Sequence, residues 1–261
     1  TLYVGTLSHG LWICPLDGRK AYRTSLPIPS MPFTMMTALS GGKVLAVAVD
    51  GAGLFIVEAA TEKLLKHILY SSDGSLLSAN TISGISEGKS GIWVSTSSHG
   101  INYISADSPT VTATSYDKSN PNSLSADCVN VVFQDSEGDM WYGTDAGVSL
   151  RRKDGTWSHF LGRSKGIDHN ILTIAQSPDG TIYTGGYGTG AWTIDKKTGR
   201  AQRLPGRNGE HGIGTEYVYN IFCHGNDIWF GGIQGELTRY DTSAKKYYYY
   251  PSECVCTMIS T

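Results

Sequence analysis

Residues 129–160 read VNVVFQDSEGDMWYGTDAGVSLRRKDGTWSHF, and the punctuation of this stretch decides the fold. A strand (VNVVF) meets a polar turn (DSEGD), then a second strand (MWYGT), a glycine turn (DAG), a third strand (VSLRR), a tight turn (KDG) and a fourth strand (TWSHF). Short apolar-rich runs separated by Gly, Asp and Ser clusters predict four antiparallel strands in one small sheet. A sheet of that size cannot bury both faces alone, so it must stack on others like it.

The rest of the chain supplies the others. Residues 140–144 have counterparts at 2–6 (LYVGT), 45–49 (LAVAV), 92–96 (IWVST), 182–186 (IYTGG) and 228–232 (IWFGG), at successive spacings of 43, 47, 48, 42 and 46 residues. A glycine follows each: Gly10, Gly53, Gly100, Gly147, Gly190 and Gly235. An apolar pair spaced by three precedes most of them: Met36 and Leu39, Ile82 and Ile85, Val129 and Val132, Ile171 and Ile174, Val218 and Ile221. A period in the forties with four strands per period is the signature of an all-β propeller with four-stranded antiparallel blades. No 3.6-residue periodicity points to helices; residues 59–69 (AATEKLLKHIL) could be misread as one, but the blade pattern demands strands there.

The repeats divide one domain, 1–261, into 1–30 with 252–261, then 31–70, 71–117, 118–162, 163–205 and 206–251. Val255 and Met258 form an apolar pair with no anchor after it, while Leu2 opens an anchor with no pair before it. The expectation is therefore six blades closed by interleaved N- and C-terminal strands, which would leave no exposed sheet edge. The alternative is a piece of a longer chain with seven blades. The start inside a strand, without Met or leader, suggests a processed or excised domain.

A formal net charge of −2 and a pI near 6.3 give no electrostatic case for nucleic acid. No run of 18 apolar residues exists, so no direct membrane insertion by a helix is expected. Cys14, Cys128, Cys223, Cys254 and Cys256 form an odd, scattered set without metal-ligand spacing, and read as small apolar side chains. No catalytic residue, metal ligand or cofactor is assigned.

Aromatics at one repeat position, Tyr3, Trp93, Trp141, Tyr183 and Trp229, share one structural task, packing between blades. Function is expected where the copies differ, in the loops leading into the first strand of each blade and in those between second and third strands, which a propeller places at one end. Those loops present Asn80, Asp127, His169 and Glu216, with His9, His99 and Tyr187 as further rim candidates. Solvated loops are polar by default, so each of these also has a purely structural reading. The run GGYGTG at 185–190 lacks both the GxGxxG spacing and a following helix, and reads as a permissive turn. Tyr247 to Tyr250 suit either a sugar-stacking platform or an outer strand with packed alternate rings.

The run VNVVFQDSEGDMWYGTDAGVSL, with echoes at residues 182–200 and 228–250, resembles the two-component regulator propeller repeat: an apolar pair, D-x-x-G, W-[IV]-G-T and a glycine turn. The resemblance implies the extracytoplasmic sensor region of hybrid two-component regulators of gut Bacteroidetes, which respond to glycans. On that footing the chain is a non-catalytic sensor in the periplasm or outside the cell, and its ligand is a small molecule or oligosaccharide. Other domains of a sensor kinase, and a second copy in a homodimer, are its expected protein partners. The chain departs from the family by lacking the transmembrane helix, kinase and DNA-binding parts. The competing classes are a propeller enzyme acting on glycans and a protein-binding scaffold. A hydrolase needs two carboxylates about 5 to 10 Å apart across the scissile bond, and no pair among Asp127, Glu216 and Glu253 is marked for that task.

Overall fold

A computed structural model describes residues 1–107, 111–162, 169–233 and 237–251. Strands pair antiparallel in six sheets that follow one another along the chain. The first is three-stranded: β1 (Leu2–Gly5), β2 (Leu11–Cys14) and β3 (Tyr22–Arg23). Five four-stranded sheets follow: β4 (Phe33–Leu39) to β7 (Lys63–Ile68), β8 (Ile82–Gly88) to β11 (Val111–Thr114), β12 (Val129–Gln134) to β15 (Trp157–Phe160), β16 (Ile171–Gln176) to β19 (Arg200–Arg203), and β20 (Tyr217–His224) to β23 (Lys246–Tyr250). Each is a meander in which only sequential strands pair, the blade of a β-propeller. The segment that could be misread as helix is β-structure, with β6 (Gly53–Glu58) and β7 joined by a turn in which Glu62 takes a positive φ of 53°. The expected interleaving of the termini falls on residues 252–261, outside the described residues.

The chain forms two compact units, Thr1–Ser115 with Asp127–Val129, and Tyr116–Ala126 with Asn130–Thr261. In the first unit Leu11 and Ile28 pack with Leu45, Val47 and Phe55, joining the first two sheets, and Leu39, Ile56 and Ile68 pack with Ile82, Val94 and Ile104, joining the second and third. In the second unit Trp141, Leu150 and Phe160 pack with Ile171, Ile182 and Ile194, joining the fourth and fifth sheets, and Tyr183 with Val218 and Phe230 joins the fifth to the sixth. Trp141 is fully buried, as the shared repeat position predicts. Trp93 and Trp229 are half-buried; Trp93 meets Tyr103 at a tilt with ring centroids 4.5 Å apart, and Trp229 stacks on Tyr250 at 5.5 Å.

Backbone geometry explains the repeated glycine. At Gly100 and Gly147 φ is +71° and +103°, and an added Cβ would stand 2.2 Å from the Thr114 carbonyl oxygen and 2.5 Å from that of Leu161. Both the dihedral and the close approach of the fourth strand's end therefore require glycine.

At the end carrying the turns between first and second and between third and fourth strands, here called the base, neighbouring sheets are clamped in the same way twice. The Ser40 N–H donates to Glu87 Oε1 at 2.7 Å, and the Ser136 N–H to Gln176 Oε1 at 2.8 Å. The fourth and fifth sheets gain a second tie. Lys196 Nζ meets Asp135 Oδ2 at 2.7 Å, Glu137 Oε2 at 2.8 Å and Asp139 Oδ2 at 2.9 Å, and the Asp135 side chain is completely buried. Burial opposes ionisation of Asp135, but hydrogen bonds from Lys196, from the Trp141 indole and from the Asp139 amide outweigh it and hold the carboxyl below its ordinary pKa. Lys196 is likewise opposed by burial, yet its carboxylate partners hold it above the usual lysine value.

Candidate functional site

The end opposite the base is assembled from backbone first. Gly100 donates its N–H to the Asp127 carbonyl, Gly147 to that of His169 and Gly190 to that of Glu216, each at 2.9 Å. Within each unit the turns between second and third strands and the loops leading into the next sheet therefore meet at one end. The carbonyl does the structural work at this position, which frees the side chain to differ between copies.

A second repeated device fixes the longer lead-in loops. Leu77, Leu124 and Ile213 are buried plugs that form parallel bridges to Tyr70, Tyr116 and Gly206. The next residue along, Ser78, Ser125 and Gly214, donates its N–H to a fully buried polar side chain on a third strand: Asn102 at 2.9 Å, Ser149 at 2.9 Å and Thr238 at 3.0 Å. Sequence reasoning missed these three side chains. The signal was a repeated short run, LSAN at 77–80, LSAD at 124–127 and IGTE at 213–216.

In the first unit the rim candidates serve mostly the loops themselves. His9 and His99 are exposed at the tips of matching turns, with Nδ1 on the hydroxyls of Ser8 and Ser98 at 3.0 and 2.8 Å, and backbone N–H groups on Thr6 and Thr96. Asn80 Oδ1 accepts the Tyr70 N–H at 2.6 Å, pinning its own loop. Asp127 is half-buried.

In the second unit the candidates form a defined constellation. Tyr187 is 52% exposed at the tip of the turn between β17 (Ile182–Gly186) and β18 (Ala191–Asp195). Its backbone N–H donates to the Asn170 carbonyl at 3.0 Å, and Gly188 beside it takes φ +69°. The ring meets Tyr217 and Tyr219 edge-on, with centroids 5.0 and 6.5 Å away. Glu216 pairs with Arg203, each side chain 47% exposed, and Arg203 Nε also donates to the Thr189 carbonyl at 3.3 Å. Gly190 lets this pair close over the turn, since a Cβ there would lie 3.1 Å from Glu216 Oε2. His169 is only 6% exposed and stands edge-on to Trp192 at 5.2 Å, so it forms wall rather than rim.

Among the described residues, four buried side-chain oxygens of the same unit have no hydrogen-bond partner: Asp145 Oδ1 and Thr189 Oγ1 in the turns between second and third strands, Thr184 Oγ1 on β17 and Asn220 Oδ1 on β20. Such atoms are uncommon because each carries a desolvation cost of about 1–3 kcal/mol. Among the described residues no group of three or more His, Cys, Asp or Glu could hold a metal ion.

No family model matches the sequence, and no curated protein matches it. Solved structures do share the fold. The extracellular domain of BT3049, described as a hybrid two component system of B. thetaiotaomicron, aligns over 99% of this chain with TM-score 0.71 and 17% identity. That of BT4673 from the same organism aligns over 95% with TM-score 0.69 and 16% identity. This chain spans about a third of those two chains, 35% and 34%. Virginiamycin B lyase from Staphylococcus aureus aligns over 97% of this chain and 84% of its own, with TM-score 0.66 and 18% identity. Among the described residues no helix is long and apolar enough to cross a membrane. The chain is thus a repeat propeller, a fold it shares with the extracellular domains of two-component systems, whose repeat its sequence resembles, and with virginiamycin B lyase.

Proposed function

We propose that the chain is a ligand-recognising part of an extracytoplasmic two-component sensor, and that it binds a hydroxyl-rich ligand, an oligosaccharide, without turning it over. The observation that carries this reading is the half-exposed Tyr187 ring, held edge-on by Tyr217 and Tyr219 beside the exposed Glu216–Arg203 pair. An aromatic face takes the C–H face of a pyranose, while its neighbours take hydroxyl groups, which both donate and accept. The fold shared with sensor extracellular domains supports the signalling context.

The experiment is a calorimetric titration of a panel of neutral oligosaccharides against the wild type, Tyr187→Ala and Glu216→Gln, with melting temperatures measured alongside. Saturable binding that both variants weaken at unchanged stability supports the site. Binding indifferent to both variants moves the site elsewhere, and release of new reducing ends replaces the sensor with an enzyme.

A further inference from the structure

Among the described residues, the base of the first unit has no counterpart of the Lys196 cap, and its aliphatic core lines a groove there. Between the fourth and fifth sheets the base is capped by Lys196, two residues beyond Ile194, the partner of Ile182 in the strand register. The third sheet has the same register, with Ile104 opposite Ile92, and the residue two beyond Ile104 is Ala106. The clamp between sheets is kept, as Glu87 with Ser40, but the cap is gone. The space beneath is a groove of about 360 Å³ whose floor is the aliphatic core of these sheets, Leu39, Val44, Ile56, Ile68, Ile92 and Ile104.

The rim is polar in a particular way. Two ammonium groups, Lys66 and Lys89, line the groove, and neither is in an ion pair among the described residues. The single carboxylate in the lining, Glu87, is turned onto the Ser40 amide. Leu65 lies on the same rim, 47% exposed. A concave aliphatic floor of this volume with a few polar groups at its mouth has the character of a small-molecule site. The floor excludes a polar ligand, and the rim favours a negative head.

We propose that this groove binds an aliphatic carboxylate, the chain lying on the isoleucine floor and the carboxylate between Lys66 and Lys89. The site is separate from the tyrosine end of the second unit, and its ligand class is different. Decanoate below its micellar concentration is the probe, titrated by calorimetry, with decanol and decyltrimethylammonium as the neutral and cationic counterparts. Decanoate should bind saturably with one site per chain, and the doubly neutralised Lys66→Gln, Lys89→Gln variant should weaken it roughly fivefold or more, as loss of partly exposed ion pairs implies. Ala106→Lys, which copies the cap of the fourth and fifth sheets, should abolish binding. Both variants should melt with the wild type; if Ala106→Lys does not fold, the lysine pair alone decides. Equal affinity for decanol or the quaternary amine, binding unchanged in the lysine variant, or no saturable binding at all overturns the proposal.

Discussion

Replacing Trp141 by alanine removes the largest fully buried side chain of the second unit. The indole packs with Phe160 at a centroid distance of 5.7 Å and belongs to the cluster holding Ile171, Ile182 and Ile194 of the next sheet, so its loss opens a void between two blades. Truncation of a buried Trp costs about 3–5 kcal/mol. The indole N–H also donates to Asp135 Oδ2 at 3.0 Å, but Lys196 remains on that oxygen, so the acceptor is not orphaned and little is added. With roughly 2–4 °C per kcal/mol for a domain of this size, the melting temperature should fall by about 6–20 °C. The comparison is Tyr248→Ala on β23, where a half-buried ring meets the guanidinium of Arg239 at 4.2 Å and Lys246 at 5.3 Å. Such cation contacts are worth about 0.5–1 kcal/mol at exposed sites, so its shift should be several-fold smaller. Differential scanning calorimetry on both variants reads the difference. Equal shifts would refute the assignment of the repeated aromatic to the packing between blades.

Lys196→Met should destabilise by about 3–5 kcal/mol at neutral pH, because it leaves Asp135 buried and charged without its partner. Asp135 titrates below its ordinary range, so its contribution is present above the unfolded carboxylate pKa of about 3.9 and is lost as pH falls through the lower folded value; melting temperatures measured from pH 7 to pH 3 should show wild type and variant converging. Gly147→Ala should cost more than Gly155→Ala, since both sites have positive φ but only Gly147 has carbonyl oxygens within 2.6 Å of the new Cβ; urea unfolding of the pair separates the clash from the dihedral strain of about 1–3 kcal/mol. Deleting residues 252–261 should lower the melting temperature and promote aggregation by exposing sheet edges, as light scattering would detect; a truncated chain that melts like the full one contradicts closure by the termini.

The blade pattern was legible because the copies repeat the same physical requirements. A turn glycine must take positive φ under the fourth strand, as at Gly100 and Gly147, and alternate positions of each second strand must be apolar. The candidate site was legible only in part. Position in the repeat identified the loops that meet at one end, yet it could not distinguish a side chain facing solvent, such as Tyr187, from one turned inward, such as His169. That difference depends on Trp192 filling the space beside His169, a contact with no sequence periodicity. Asn102, Ser149 and Thr238 escaped notice because they sit within third strands, and their polarity is explained by the loop amides they receive, contacts between segments distant in sequence. The cap at Lys196 and its replacement by Ala106 were hidden because they lie in turns, where the repeat tolerates any residue that leaves the strand register intact.

The most direct measurement for the account is a crystal structure of the protein soaked with the tightest-binding oligosaccharide of the panel. The expected result is an intact sugar with one ring face on Tyr187 and hydroxyls within hydrogen-bond distance of Glu216 or Arg203. A sugar bound away from these residues, or found cleaved beside them, would contradict it.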